Sequence, residues 1–223
     1  MILLKKTEET FLVLKFPIVF LAGIIMKNEI VQTALPLFLK IGFKNVTMDE
    51  VAQKLCISKK TIYENFENKK ALIEAAVNML ILKIGSEVDV IQNSASNPIA
   101  AIYEVKSMVL QYLSDEENSP QIQLQKYYPE IYRKFKFKEF DLLGNQFRCS
   151  LQRGIDMNLF RSNIDIDFIS RIYFSGLRNI KDIKLFPRID FQIDDLMSKF
   201  FEYHLRAIST EKGISLLNEH KHS

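Results

Sequence analysis

Between Thr47 and Leu72 the chain carries three helix-start signals, two apolar pairs at helical spacing and a tight turn, all within 26 residues. Few folds satisfy these together. Thr47 stands where an N-cap belongs, and Glu50 lies three residues on, where a capping box puts its acid. That predicts a helix to about Leu55, with Val51 and Leu55 four apart on its buried side and Ala52 small enough for another helix to cross closely. Ser58 is a second cap, opening a helix from Lys59 to Phe66 whose buried side holds Ile62 and Phe66. Asn68 caps a third helix.

This spacing leaves Lys59, Lys60, Thr61, Tyr63 and Glu64 on the outer surface of the second helix. A helix is the element that fits the major groove of DNA, and a two-helix unit presents it there. Two lysines on the first turn reach phosphates or guanine edges, and the hydroxyls of Thr61 and Tyr63 hold phosphate oxygens. Lys69 sits in the first turn of the third helix, where backbone amides already favour an anion. The expected nucleic-acid set is Thr47, Ser58, Lys59, Lys60, Thr61, Tyr63, Asn65 and Lys69. The same residues on an ordinary helical hairpin would be only a solvated face, but caps, apolar pairs and basic residues agree throughout.

Here the sequence resembles the tetracycline-repressor (TetR) family of bacterial transcription regulators. The resemblance runs from Ile30 and Ala34 through Leu37, Phe38, Gly42, Phe43, Thr47, Val51, Ala52, Ser58, Thr61, Ile62, Tyr63, Phe66, Lys69 and Leu72. It covers about 50 residues well; the remainder is similar in length and helical character. Two positions depart from the pattern. Cys56 occupies the turn where the family usually has glycine, at a cost of about 1 kcal/mol for a left-handed residue. Asn65 replaces the histidine often found before the last phenylalanine.

Composition agrees with an all-α chain. Of 223 residues 48% are hydrophobic, glycines number only 7, phenylalanines 17, and tryptophan is absent. The net charge of +3 is uneven: residues 26–83 hold nine lysines against six acids, whereas 84–223 hold 18 basic residues against 19 acids. The positive excess therefore lies on the expected DNA-binding part. Cys56 and Cys149 make no metal-ligand spacing, and the reading is two reduced thiols in a cytoplasmic protein. No Gly-rich phosphate loop, Gly-x-Ser-x-Gly or other catalytic constellation stands out, the three histidines crowd the C-terminus, and no enzyme, metal site or cofactor is expected.

Residues 11–26 form an apolar run interrupted by Lys15 and Pro17, short of the ~20 residues that span a bilayer. Met26 is the expected start of the working chain, with 1–25 an upstream extension or an apolar arm. The first helix runs from Asn28 to about Ile41 with Ile30, Ala34, Leu37, Phe38 and Ile41 inward, kinked at Pro36 and stopped by Gly42. A long helix follows from Lys69 to about Ile91, then a loop over Gln92–Asn97, a helix from Pro98 to about Leu113, an acidic loop over Ser114–Ser119 and a short helix from Pro120. Another runs from Pro129 to about Gly154; within it Arg133–Lys138 alternates basic and aromatic residues, read as a solvated flank whose phenylalanines reach the core. The turn Gly154–Arg161 precedes a helix from Asp165 or Asp167 to about Ile183 and one from Phe191 to about Ile208. From Glu211 a polar, frayed tail is expected, with His220 and His222 too sparse for a metal.

The expected organisation is thus an N-terminal three-helix helix-turn-helix domain (26–72) and a C-terminal helical effector-binding and dimerisation domain (73–210), followed by the tail (211–223). The resemblance implies a homodimer joined through the last two helices, double-stranded operator DNA as partner, and a small-molecule effector whose binding releases DNA. Tyr103, Met108, Phe147, Leu151 and Phe174 are the candidate pocket residues. Two other readings remain: a membrane-associated sensor using the apolar N-terminus, and a helical interaction protein without DNA binding.

Overall fold

The computed structural model describes residues 3–112, 120–182, 184–187 and 189–220, with side chains from Leu21 onward except 111, 112, 120, 121 and 220. The loop expected over Ser114–Ser119, His222 and the side chain of His220 lie outside the described residues. Among the described residues there are ten helices and no strand: α1 Leu3–Ile41, α2 Met48–Lys54, α3 Lys59–Asn65, α4 Lys69–Ser94, α5 Pro98–Tyr112, α6 Pro120–Tyr127, α7 Pro129–Asp156, α8 Ile166–Asn179, α9 Ile193–Ile208 and α10 Glu211–His220. The chain divides into two compact units, Met1–Leu80 with Glu117–Arg133, and Ile81–Glu116 with Lys134–Ser223.

In the first unit α1 packs on α2 and α3, which also pack on each other. α1 continues through Pro36 without a break and begins well before Asn28. Its buried side is Ile30, Val31, Ala34, Leu35 and Phe38; Leu37 is only half-buried and Ile41 is 45% exposed. The inward face is therefore turned by about one residue from the expected one. Both stripes are apolar, so periodicity alone could not choose between them. Gly42 ends the helix at φ 97, a left-handed position that favours glycine, and the side-chain amide of Gln123 lies against it. Gln123 belongs to α6, which joins this unit from far along the sequence. Lys70 pairs with Glu130 on α7, and Lys44 lies over the Tyr127 ring at 5.0 Å. These links draw 117–133 into the first unit, whereas the sequence suggested one boundary after Leu72.

In the second unit α5 packs against α9 and α10, and α8 against α9. Asn97 caps α5, its Oδ1 accepting from the amides of Ile99 and Ala100 at 3.0 Å. Arg153 of α7 donates to the carbonyls of Gln92 and Ala95, closing the end of α4. The core gathers Phe147, Leu151, Tyr173, Leu196, Phe201 and Leu205. In the alternating segment of α7, Phe135 is half-buried but Phe137 is 69% exposed, so only one phenylalanine turns inward. α8 starts on Asp165, whose carboxylate accepts from the Phe168 amide at 3.0 Å, and stops at Asn179, earlier than expected.

The expected frayed tail is a correction. Residues 211–220 form α10, with Thr210 at its start accepting from the Gly213 amide at 3.2 Å. Leu217 is buried in the core of the unit. Leu217 and, beside it, Leu216 supply an inward side that the charged residues around them disguised. Among the described residues no helix is long and apolar enough to cross a membrane.

Candidate nucleic-acid interface

α2 begins on a full capping box. The Thr47 amide donates to Glu50 Oε2 at 2.6 Å, and the Glu50 amide donates to Thr47 Oγ1 at 3.2 Å. Two of the free amides at the helix start are thereby satisfied. The turn after α2 closes in two bonds: the Ile57 amide donates to the Ala52 carbonyl at 3.0 Å and the Cys56 amide to that of Gln53 at 3.1 Å. This is the Schellman arrangement. Cys56 takes its left-handed position with φ 55. The turn is thus the one glycine would make, carried by a residue with a Cβ.

α3 follows at once. The Ser58 hydroxyl accepts from the Thr61 amide at 3.0 Å and lies 2.8 Å from the Thr61 hydroxyl. Ile62 is fully buried and Phe66 nearly so, which fixes the rotation of α3. Ser58, Lys59, Lys60, Tyr63 and Glu64 are left exposed, with Thr61 and Asn65 half-buried at the edge.

Acids compete for the basic groups on this face. The Lys59 amine lies 2.8 Å from Asp49 of α2; that hydrogen bond and charge raise its pKa above the usual lysine value. Lys60 stands 3.7 Å from Glu64, one turn along. Both pairs are solvent-exposed, and such pairs contribute little to stability, so a phosphate can replace either acid.

The remaining expected residues are placed differently. Asn65 donates its side-chain amide to the Thr61 carbonyl at 2.9 Å, turned back along its own helix. Lys69 donates to the Lys44 carbonyl at 2.7 Å, strapping the start of α4 to the loop after α1. Burial lowers its pKa, opposed by the Glu50 carboxylate. One of its three N–H groups is used in this way. Asn68 caps α4, accepting from the Ala71 amide at 2.9 Å. Two neighbours escaped sequence reasoning. Asp49, in the first turn of α2, and Lys27, whose amine lies 5.2 Å from the Phe66 ring centroid, carried no local signal.

The candidate pocket residues fall in the second unit. Among the described residues, Tyr103, Phe147, Leu151 and Phe174 join one apolar cluster, and Met108 does not.

Comparison with known proteins adds three findings. Residues 30–76 match the family described as bacterial regulatory proteins, tetR family. The biofilm operon icaADBC HTH-type negative transcriptional regulator IcaR of Staphylococcus aureus is 29% identical over 79 residues, which make up 35% of this chain and 42% of that protein. The chain thus spans less than half of that relative's length. Among solved structures, a transcriptional regulator from Cytophaga hutchinsonii superposes with a TM-score of 0.69 at 20% identity, over 81% of this chain and 97% of that one. RolR, solved in complex with resorcinol, superposes with a TM-score of 0.60 at 17% identity, over 85% and 90% of the two chains. At these identities the structural likeness concerns the fold alone.

Proposed function

Residues 30–76 make this chain a member of the tetR family of bacterial regulatory proteins, and we propose that it is a transcriptional repressor that binds a palindromic operator as a homodimer. The observation that carries this reading is the α2–turn–α3 geometry. Ile62 and Phe66 bury one side of α3 and turn Lys59, Lys60 and Tyr63 outward on a helix short enough to enter one stretch of major groove. On this reading Thr61 and Ser58 flank the groove-facing residues, Asn65 orients Thr61, and Thr47 and Lys69 hold backbone phosphates on either side. The domains of the proposal are 26–72 for DNA and 73–210 for effector and dimer. The name of the S. aureus relative, a negative regulator, favours repression over activation.

Dimerisation through α8 and α9 is supported by apolar side chains left outside. Phe168 (58% exposed) and Ile172 lie four apart on α8, and Tyr203 (72% exposed) lies on α9. Large apolar residues grouped on the outside of neighbouring helices mark an interaction surface. Pairing by two-fold symmetry uses the same patch on both copies. A palindromic operator requires the two α3 helices of such a dimer about one helical turn of DNA, ~34 Å, apart. RolR with resorcinol illustrates that this fold takes small molecules. An effector releases DNA here if it binds the non-DNA-binding conformation more tightly.

A salt titration of the full-length protein on duplex DNA, followed by fluorescence anisotropy, tests the reading. Binding should fall steeply with salt, and Lys69→Ala should lower the slope by about one. Salt-independent binding, or none, contradicts it.

A further inference from the structure

His204 lies on α9 in the middle of the second unit's core, only 3% exposed. Its ring is 5.2 Å from that of Tyr173, 5.8 Å from Phe200 and 6.3 Å from Phe147, centroid to centroid. Tyr173 and Phe147 stack at 4.0 Å. Its Nε2 atom has no hydrogen-bond partner among the described residues. A buried polar atom without a partner costs about 1–3 kcal/mol, so one that stays so needs an explanation. Two more lie on the helices that supply these rings: the hydroxyls of Ser150 on α7 and Ser170 on α8, both buried and unpartnered. Ser150 is one turn from Phe147 and Ser170 one turn from Tyr173. Packing alone has no use for three such groups beside an aromatic cluster.

The rings set the shape of what would fit. Phe147 and Tyr173 cover one another, whereas Phe200, next to His204, is half-buried and keeps a face open, and aromatic pairs favour offset stacking or edge-to-face contact. Phe200 and Phe174 are only half-buried, so the cluster reaches solvent on one side. Gly176 keeps it tight there, since a Cβ at that position would fall 2.2 Å from the Phe200 ring. The charge state sets the chemistry. Burial holds the His204 pKa down at about 4, so the imidazole is neutral at physiological pH, with one ring nitrogen a donor and the other an acceptor. It gives no cation to hold a carboxylate.

We propose that the second unit binds an uncharged aromatic molecule carrying a hydroxyl group, which packs against the Phe200 ring and hydrogen-bonds through that hydroxyl to Nε2 of His204. The proposal deepens the regulator reading and rests on it, naming the chemical class of the effector. His204 is then the selecting residue: a site built to pair a hydroxyl rejects the analogue that lacks it, because Nε2 would again be left unpaired.

The test uses 2-naphthol and naphthalene on the full-length protein, followed by ligand fluorescence. The wild type should bind 2-naphthol on the order of tenfold or more tighter than naphthalene, one buried hydrogen bond's worth. His204→Phe should bring the two affinities together. Equal affinities in the wild type, a preference that survives in the variant, or no binding of either probe overturns the proposal. Imidazole ¹⁵N spectra of the wild type need no variant: the His204 Nε2 resonance should move with 2-naphthol and stay with naphthalene, and a resonance that ignores 2-naphthol also overturns it. Selection of an operator by the same protein is read separately. Sequence-selective DNA binding without a 2-naphthol response defeats only the effector site, whereas loss of DNA selectivity defeats the regulator reading.

Discussion

The amine of Lys59, at the start of α3, lies 2.8 Å from the carboxylate of Asp49 in α2, so an acid of the supporting helix holds a basic residue of the recognition helix. In free protein this steadies Lys59; on DNA the carboxylate is a like charge facing phosphates. Asp49→Asn should therefore tighten binding to all duplexes by about two- to tenfold at low salt, with the gain fading as salt rises. Anisotropy titrations at two salt concentrations check it. Weaker binding would mean that the pair must stay intact to position Lys59.

Cys56 carries the left-handed turn between α2 and α3 at φ 55. Cys56→Gly should stabilise the first unit by up to about 1 kcal/mol, the cost of the Cβ in that region less the chain entropy of glycine. Cys56→Val should destabilise it by about 1 kcal/mol or more, since a β-branched residue tolerates positive φ worst. Urea denaturation midpoints measure both. Equal stability of all three would mean that the turn relaxes away from φ 55.

Ile172 lies on the outer face of α8 and is 45% exposed, so it can be changed without opening the core. Ile172→Glu should convert a dimer to a monomer in sedimentation velocity while leaving helix content intact. Operator affinity should then fall by a factor on the order of 100, as each half-site binds alone. A variant that stays dimeric moves the interface elsewhere.

Acid should weaken the second unit through His204. The unfolded chain takes up this proton near pH 6.5, while burial holds the folded value at about 4. The unfolded state therefore binds more protons between these values. Stability is whole above about pH 6.5 and is lost as pH falls toward 4, by roughly 3 kcal/mol at most. His204→Phe should flatten this part of the pH profile while the carboxylates contribute alike in both proteins. Parallel wild-type and variant profiles would show that His204 is solvated in the fold.

Much of the first unit was written in short-range signals. Thr47, Ser58 and Asn68 were each legible as caps because a cap depends on residues two or three positions away, and each makes its bond; Asp165 was one of two candidate starts, and the structure puts the cap there. What needs the third dimension was less legible. The inward side of α1 includes Val31 and Leu35 in place of Ile41 because two apolar stripes were equally good in sequence. α10 was hidden because the charges of Glu211, Lys212 and Glu219 outweighed three aliphatic residues whose burial comes from α5 and α9. The outer face of α3 could be listed from sequence, but not that Asp49 holds Lys59 or that Asn65 turns back to Thr61. Phe147 and Phe174 were visible as aromatics, yet a lone histidine on an apolar helix face gave no sign of which rings would surround it.

Selection of bound sequences from a random duplex pool by the full-length protein, with the mass of the selected complex measured in solution, decides most. A repressor of this geometry should enrich an inverted repeat whose half-sites are about one helical turn apart, bound by two copies of the chain. Enrichment of no sequence by folded dimeric protein, or of a single unpaired half-site bound by one copy, would contradict the proposed α3 readout and the dimer with it.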